Sequence, residues 1–496
     1  QKMTQEITLS AEQQEIVDSK KDTIVVSNPG TGKTTTLSFK VIKLLEEKVK
    51  PEDILCITFT EKAKKEMFDA IYDRAKENFS DADIMKINIH TFHSFAYNYL
   101  LDAGLISGDI VGNNLMRFTI LNSFDTNQAL NYEKDYIINS IVPKTENSIR
   151  YIKSFGITPD KIDIKKATKV LEDVFDEKSS RYTLEELKAF LKYFIAAYQT
   201  YEESKGQAID YSDMLLMFKE KFQGNKFQNV LVDEMQDMNE IEAEIATMVS
   251  ENLFLVGDAK QAIFGFQGGS VKNFQKFMKT CDKKMLSTNR RSSQQILDYS
   301  KQHFLKGTSS REDYEKELSI FKGLGDGEIP KIFSTSAHLS KILEVIEQNP
   351  GKSVGIITRT NGQIIKISKF LDSNSIEYTS TASQASTKQA KIEIQSFIRG
   401  LLSDKIEDKI SATFTIFAPY TLKEAFEFSK AFKKKEFEKL SEIKSWGFKL
   451  DRVQLDQMFN DLILPMCISK GAEWFSAAIT AKQEIDEYLT FETPTL

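Results

Sequence analysis

The sequence predicts an α/β protein whose parallel sheets carry helices on both faces. Three observations carry that prediction. Short apolar, β-branched runs recur along the chain, most of them are followed by a stretch with helical periodicity, and the first runs straight into a glycine-rich turn. Strands buried on both faces read as continuous apolar runs, and parallel neighbours need a crossover helix between them.

The elements follow in order. Thr23-Ile24-Val25-Val26 reads as a strand, with a turn after it and a helix from Lys33 to Leu45. Ile54-Leu55-Cys56-Ile57-Thr58 is the next strand, followed by a helix from Glu61 to Arg74. Asn229-Val230-Leu231-Val232 and Asn252-Leu253-Phe254-Leu255-Val256 are further strands, ending in acidic or Gly-Asp residues. Ser353-Val354-Gly355-Ile356-Ile357 reads as a later strand before the periodic stretch Gln363 to Leu371. Two regions break the rhythm and read as helical insertions, Leu101 to Lys205 and Ser396 to Asn460.

Composition limits the function classes. The chain has 496 residues, 41% of them hydrophobic and 28% charged, enough for several cores and against global disorder. Three scattered cysteines form neither a disulfide framework nor a zinc spacing, which fits a reducing, cytoplasmic location. No apolar run approaches the roughly 18 residues of a membrane span, and residues 1–17 hold no apolar signal core, Met3 being the expected natural start. A net charge of −6 argues against a basic coat for nucleic acid and leaves room for a local groove.

Two segments carry chemistry. Ser27-Asn28-Pro29-Gly30-Thr31-Gly32-Lys33-Thr34 lies between a strand and a helix, as a phosphate-binding loop must. Glycines let backbone N–H groups wrap phosphates, the helix N-terminus favours anions, lysine reaches the β/γ-phosphates and threonine holds Mg²⁺. Val230-Leu231-Val232-Asp233-Glu234 is a strand ending in two carboxylates. An Asp there supports Mg²⁺, and the Glu beside it can orient and deprotonate a water.

Further residues carry a resemblance. Asp233-Glu234-Met235-Gln236-Asp237 resembles the DExQD box of superfamily-one helicases of the UvrD/Rep group. In the family's order come Leu9-Ser10-Ala11-Glu12-Gln13 (Q motif), Ile57 to Met67 (motif Ia), Thr91-Phe92-His93-Ser94 (Ib), Gly257 to Gly268 (III), Leu286 to Ser292 (IV), Thr358 to Asn361 (IVa) and Ser469 to Trp474 (V). The resemblance implies two RecA-like P-loop NTPase cores with ATP and Mg²⁺ between them and two helical subdomains inserted. The first core would comprise residues 1–100 and 206–285, with 101–205 inserted. The second, trimmed core would comprise 286–395 and 461–496, with 396–460 inserted. DNA, single-stranded or at duplex junctions, would cross both cores with 3′-to-5′ stepping. No membrane partner is expected.

Roles follow by matched position. Gln13 would read the adenine edge. The loop Ser27, Asn28, Pro29, Gly30, Thr31, Gly32, Lys33 and Thr34, with Thr35 after it, would hold the nucleotide. Thr34 and Asp233 would serve Mg²⁺, Glu234 would be the general base, and Gln261 would sense the γ-phosphate. Arg291, from the second core, would be the arginine finger, and Glu473 would contact the ribose. Phe92, Phe264 and Phe266 would stack bases, with Thr60 and Lys62 at the DNA backbone, where Lys433-Lys434-Lys435 is a further candidate. His93 fits either a proton relay or a structural hydrogen bond to the DExQD loop.

The chain also departs from the family pattern. Thr35 and Arg290 replace the two residues that usually sandwich the adenine, and Arg290 could stack its guanidinium plane instead. Gln267 stands where motif III usually has arginine. The only echo of motif VI is Ala478-Ile479-Thr480-Ala481-Lys482, without arginine, close behind motif V. Either the second core is trimmed or one of the two C-terminal matches is wrong. These departures support a second reading: a DNA- or nucleotide-sensing regulatory subunit with weak or partner-dependent ATPase, similar to the helicase-like subunit of Gabija anti-phage systems, whose partner is an OLD-family nuclease.

Overall fold

A computed structural model describes residues 8–106, 110–111, 113–123, 132–180, 182–206, 208–261, 271–308, 311–380, 385–446 and 452–488. The chain divides into two compact units, residues 1–116 with 146–332, and residues 117–145 with 333–496.

The first unit is built on a six-stranded parallel sheet. Its strands are β1 (Thr23–Ser27), β2 (Ile54–Thr58), β3 (Asn88–Thr91), β4 (Phe227–Val232), β5 (Ser250–Gly257) and β6 (Asp282–Leu286), in the order β3-β2-β4-β5-β1-β6. β1 pairs in register with β5 on one side and β6 on the other. Both faces are covered, so the strands alternate between two cores. Ile24, Val26, Leu55 and Ile57 join Phe92, Phe95 and Phe218 on one face. Val25, Ile54 and Cys56 join Leu37, Val41 and Ile71 on the other. This double burial is why the strands read as unbroken apolar runs.

The boundaries expected from sequence shift. Residues 286–332 belong with the first sheet, because β6 lies beside β1 and the chain leaving it stays there. A short parallel pair, β7 (Thr288–Asn289) with β8 (Lys322–Gly323), forms a separate two-stranded sheet in the same unit. The expected insertion at 101–205 divides, residues 117–145 joining the second unit.

The second unit is helical, and no sheet forms in it among the described residues. Ser353 to Thr358 forms no regular element and has no ladder partner, and Ile357 is 97% exposed. A parallel strand exists only with a neighbour to bond, so the apolar run does not become a strand here. Helices Ala385–Leu402, Leu464–Lys470 and Ala472–Tyr488 share a core of Ile394, Phe397, Ile463, Cys467 and Ala478. Residues 461–488, expected in a second α/β core, therefore pack as helices.

Candidate nucleotide site

The parallel sheet brings its chemistry to one edge. The carboxyl ends of β1, β4, β5 and β6 carry, respectively, the glycine-rich loop, Asp233-Glu234, Gly257-Asp258 and Asn289-Arg290-Arg291. Ligands of open parallel sheets bind at this end.

The loop after β1 is pre-shaped. Gly30 and Gly32 hold φ of +81° and +88°, which a side chain would resist. The Thr31 hydroxyl donates to the Asn28 carbonyl oxygen at 2.8 Å, and the Ser27 hydroxyl to that of Gly257 at 3.1 Å. The helix Lys33–Glu46 then starts with no side-chain cap, leaving its first N–H groups for an anion.

Lys33 reaches across to the end of β4. Its Nζ lies 2.7 Å from Glu234 Oε1 and 2.6 Å from Oε2. Glu234 adopts a left-handed backbone, φ +49°, a conformation a non-glycine residue holds only when its surroundings impose it. Gln236 Nε2 also donates to Glu234 Oε2, at 2.9 Å. Burial, reinforced by the Glu234 charge and only partly offset by Lys33, pushes the Asp233 carboxyl up to about 6. The same causes in the same order push Asp237 to about 6. Three carboxylates thus share one ammonium, an excess of negative charge that fits a divalent cation. Thr34 and Asp233 are the expected holders of Mg²⁺.

Arg290 and Arg291 sit directly on the loop. The Asn289 amide donates to the Pro29 carbonyl oxygen at 2.6 Å, and its Oδ1 accepts from the N–H groups of Arg291 and Ser292 at 2.9 and 2.8 Å. The Arg290 N–H donates to the Gly30 carbonyl oxygen at 2.7 Å. A Cβ on Gly30 would lie 2.6 Å from that of Arg291. Arg291 therefore comes from the same unit as the loop, correcting its expected origin in a second core. Gln13 is buried beside it. Its Oε1 accepts from the Ser10 N–H and Arg290 Nη2, both at 3.1 Å, and its Nε2 donates to the Thr36 hydroxyl at 3.3 Å. Gln261 Nε2 donates to Asp258 Oδ2 at 2.9 Å.

The expected DNA contacts fare unevenly. Phe92 is 2% exposed and packs edge-on against Phe59, so its ring belongs to the core and offers no face to a base. Phe264 and Phe266, with Gln267, lie outside the described residues. Thr60 caps the helix Glu61–Ala75 by accepting from the Ala63 N–H at 3.0 Å, and Lys62 beside it is exposed near Glu66. His93 packs against Tyr211, and burial holds its imidazole below the usual range, partly offset by a hydrogen bond to the Tyr211 backbone. Lys433, Lys434 and Lys435 are exposed at a helix end.

The C-terminal matches fall within helices of the second unit. Glu473 lies in Ala472–Tyr488 with its side chain outside the described ones, and Trp474 packs against Phe417. In the expected motif VI echo, Ala478 and Ala481 are core, and Lys482 pairs with Asp456 and Asp486. This segment is a buried helix face rather than a phosphate-binding box.

The carboxylates of Glu202, Asp210 and Asp213 converge closely enough to hold an ion. Two ammonium groups already fill that space. Lys153 Nζ lies 2.8, 2.7 and 2.6 Å from the three, and Lys205 pairs with Glu202 and Asp213.

Residues 9–282 match the family described as the UvrD/REP helicase N-terminal domain. The chain belongs to the UvrD/REP helicase family. Its similarity extends beyond that domain. A probable DNA helicase II homolog of Mycoplasma pneumoniae is 27% identical over 384 residues, 71% of this chain and 51% of its own length. The ATP-dependent DNA helicase PcrA of Staphylococcus epidermidis is 26% identical over 422 residues, 79% and 53% respectively. The chain thus spans about half the length of these relatives. No described helix is long and apolar enough to cross a membrane.

Sequence reasoning gave no role to Gln236 or Asp258, although both sit inside family boxes. The place of Gln236 inside the DExQD-like box, three residues after Asp233, was the available signal. Lys260 and Glu317, which meet at 2.5 Å, are 57 residues apart and left no local signal.

Proposed function

We propose that this chain is the motor portion of a DNA-dependent ATPase that moves 3′ to 5′ on single-stranded DNA as a helicase or translocase. The observation that carries it is the Lys33–Glu234 pair at the carboxyl edge of the sheet. A lysine that binds phosphates and a carboxylate that activates water hold each other until a nucleotide separates them.

ATP would enter at Asn28 to Thr34 with Mg²⁺, the ion supplying charge neutralisation at the phosphates through Thr34 and Asp233. Lys33 transfers its hydrogen bonds from Glu234 to the β/γ-phosphates. Glu234, released, orients a water and accepts its proton, with Gln236 holding one carboxylate oxygen. Arg291, fixed by Asn289, offers its charge to the transferring phosphoryl group. Gln261 would meet the γ-phosphate. Thr60 and Lys62 offer a starting point for the DNA track.

The test is steady-state ATP turnover with and without single-stranded DNA. Stimulation by DNA is expected, and its absence in every assembly state would end this reading. Turnover that appears only when a nuclease partner is added would favour the regulatory-subunit reading instead.

A further inference from the structure

Gln261 is held by a line of buried charges that ends on a helix outside every motif. Its Nε2 takes one oxygen of Asp258, and its backbone N–H donates to the Asp258 carbonyl oxygen at 2.9 Å. The other carboxylate oxygen, Oδ1, receives the Lys260 ammonium at 2.6 Å and the Lys260 N–H at 3.0 Å. The same ammonium reaches Glu317 Oε1 at 2.5 Å, on the helix Arg311–Leu318. The Phe321 ring lies 5.5 Å from it. The Asp258 and Lys260 side chains are only 1% and 7% exposed. Gln261, Lys260 and Phe321 open on the same cavity of about 290 Å³ as Asn28 and Pro29 of the phosphate loop. In the other direction, the Asp258 N–H donates to Gln236 Oε1 at 2.9 Å, and Gln236 bonds Glu234.

We infer that Glu317 is a positioning residue: by holding Lys260 against Asp258 it fixes the Gln261 amide beside the phosphate loop, and so ties the helix Arg311–Leu318 to occupancy of the γ-phosphate position. Given that Gln261 meets the γ-phosphate, as proposed above, the physical case is direct. Asp258 has one oxygen for Gln261 and one for Lys260. A lysine side chain is flexible, and a second carboxylate opposite the first restricts it to one arrangement. Without Glu317 the ammonium is free to leave Asp258, the buried carboxylate loses its fixed counter-charge, and Gln261 loses its anchor. Coupling of this kind is reciprocal, so a γ-phosphate that engages the positioned Gln261 also stabilises the Lys260–Glu317 pair.

The experiment measures affinity for ADP and for a non-hydrolysable ATP analogue, with Mg²⁺, in wild type, Glu317→Gln, Gln261→Ala and the double variant. Glu317→Gln keeps the shape and removes the charge. It is expected to reduce the preference for the triphosphate over ADP by about fivefold or more, with ADP affinity unchanged. In the Gln261→Ala background the same substitution is expected to change nothing, because the residue through which it acts is gone. Lys260→Gln, which cuts the link at its other end, is expected to reproduce the loss. An unchanged triphosphate preference in both Glu317→Gln and Lys260→Gln, or an effect of Glu317→Gln that persists without Gln261, would overturn the positioning role while leaving the nucleotide site intact. If Gln261→Ala alone leaves the preference unchanged, the γ-phosphate role of Gln261 fails, and the role of Glu317 fails with it.

Discussion

Lys33 and Glu234, 201 residues apart, are joined by two hydrogen bonds of 2.7 and 2.6 Å. In the proposed mechanism Lys33 would have to leave Glu234 to reach the phosphates, so the pair and the nucleotide would compete. Glu234→Gln weakens that competition by removing a negative charge near the phosphates. The expected result is triphosphate binding at least as tight as wild type, with turnover lower by about 10²- to 10⁴-fold. Equilibrium binding and single-turnover hydrolysis check the two halves separately. Loss of binding together with turnover would show that Glu234 shapes the site rather than acting as base.

Asn289 is 1% exposed, and its amide fastens the Arg290–Arg291 segment to Pro29. Asn289→Ala leaves the Pro29 carbonyl oxygen and two N–H groups without that partner. A cost of about 2 kcal/mol or more is expected at this edge, with nucleotide affinity falling about tenfold or more. Melting temperature and nucleotide titration read the two effects. Wild-type affinity in this variant would mean that Arg290 and Arg291 reach the nucleotide without the anchor.

Much of this arrangement was legible in the sequence, and the reasons for the rest are physical. β1, β2, β4 and β5 and the loops after them showed because double burial writes a continuous apolar run, which is local information. The partnership of β6 with β1 was not legible, since it joins Ser27 to Leu286 across the whole first unit. Arg291 was therefore credited to the wrong body, although its role by position stands as proposed. Ser353 to Ile357 has strand composition but no partner among the described residues, and composition does not report a missing neighbour. Phe92 illustrates the converse limit: a motif position did not distinguish a base platform from a ring filling the core.

Glu242 gives a pH prediction. Burial, with the Asn239 N–H opposing it and Asp237 assisting, pushes its carboxyl up to about 7 from an ordinary 4.5. The folded protein thus holds this proton more tightly than the unfolded chain. The stability it contributes is full below pH 4.5 and is lost as the pH rises through 7. Glu242→Gln keeps an oxygen for the Asn239 N–H, now at 2.9 Å from Glu242 Oε2. It is expected to match wild type near pH 5 and to exceed it above pH 7.5 by on the order of 2 kcal/mol. Urea unfolding across this range checks it, and parallel pH profiles would contradict it.

Lys153 holds three carboxylates, and although burial works against its charge, Asp210 and Asp213 keep its ammonium well above the ordinary lysine range. Lys153→Met removes the cation and leaves the acids facing one another, with Lys205 alone between them. A loss of about 3–5 kcal/mol of unfolding free energy is expected. A change under about 1 kcal/mol would show that the network relaxes without it.

The carboxyl edge of this sheet is proposed to hydrolyse ATP in response to DNA. The most direct measurement is steady-state ATP turnover with Mg²⁺, with and without single-stranded DNA, in wild type and Glu234→Gln. DNA-stimulated turnover in wild type that collapses in the variant is the predicted result. Turnover indifferent to DNA, or equal in the two proteins, would contradict it.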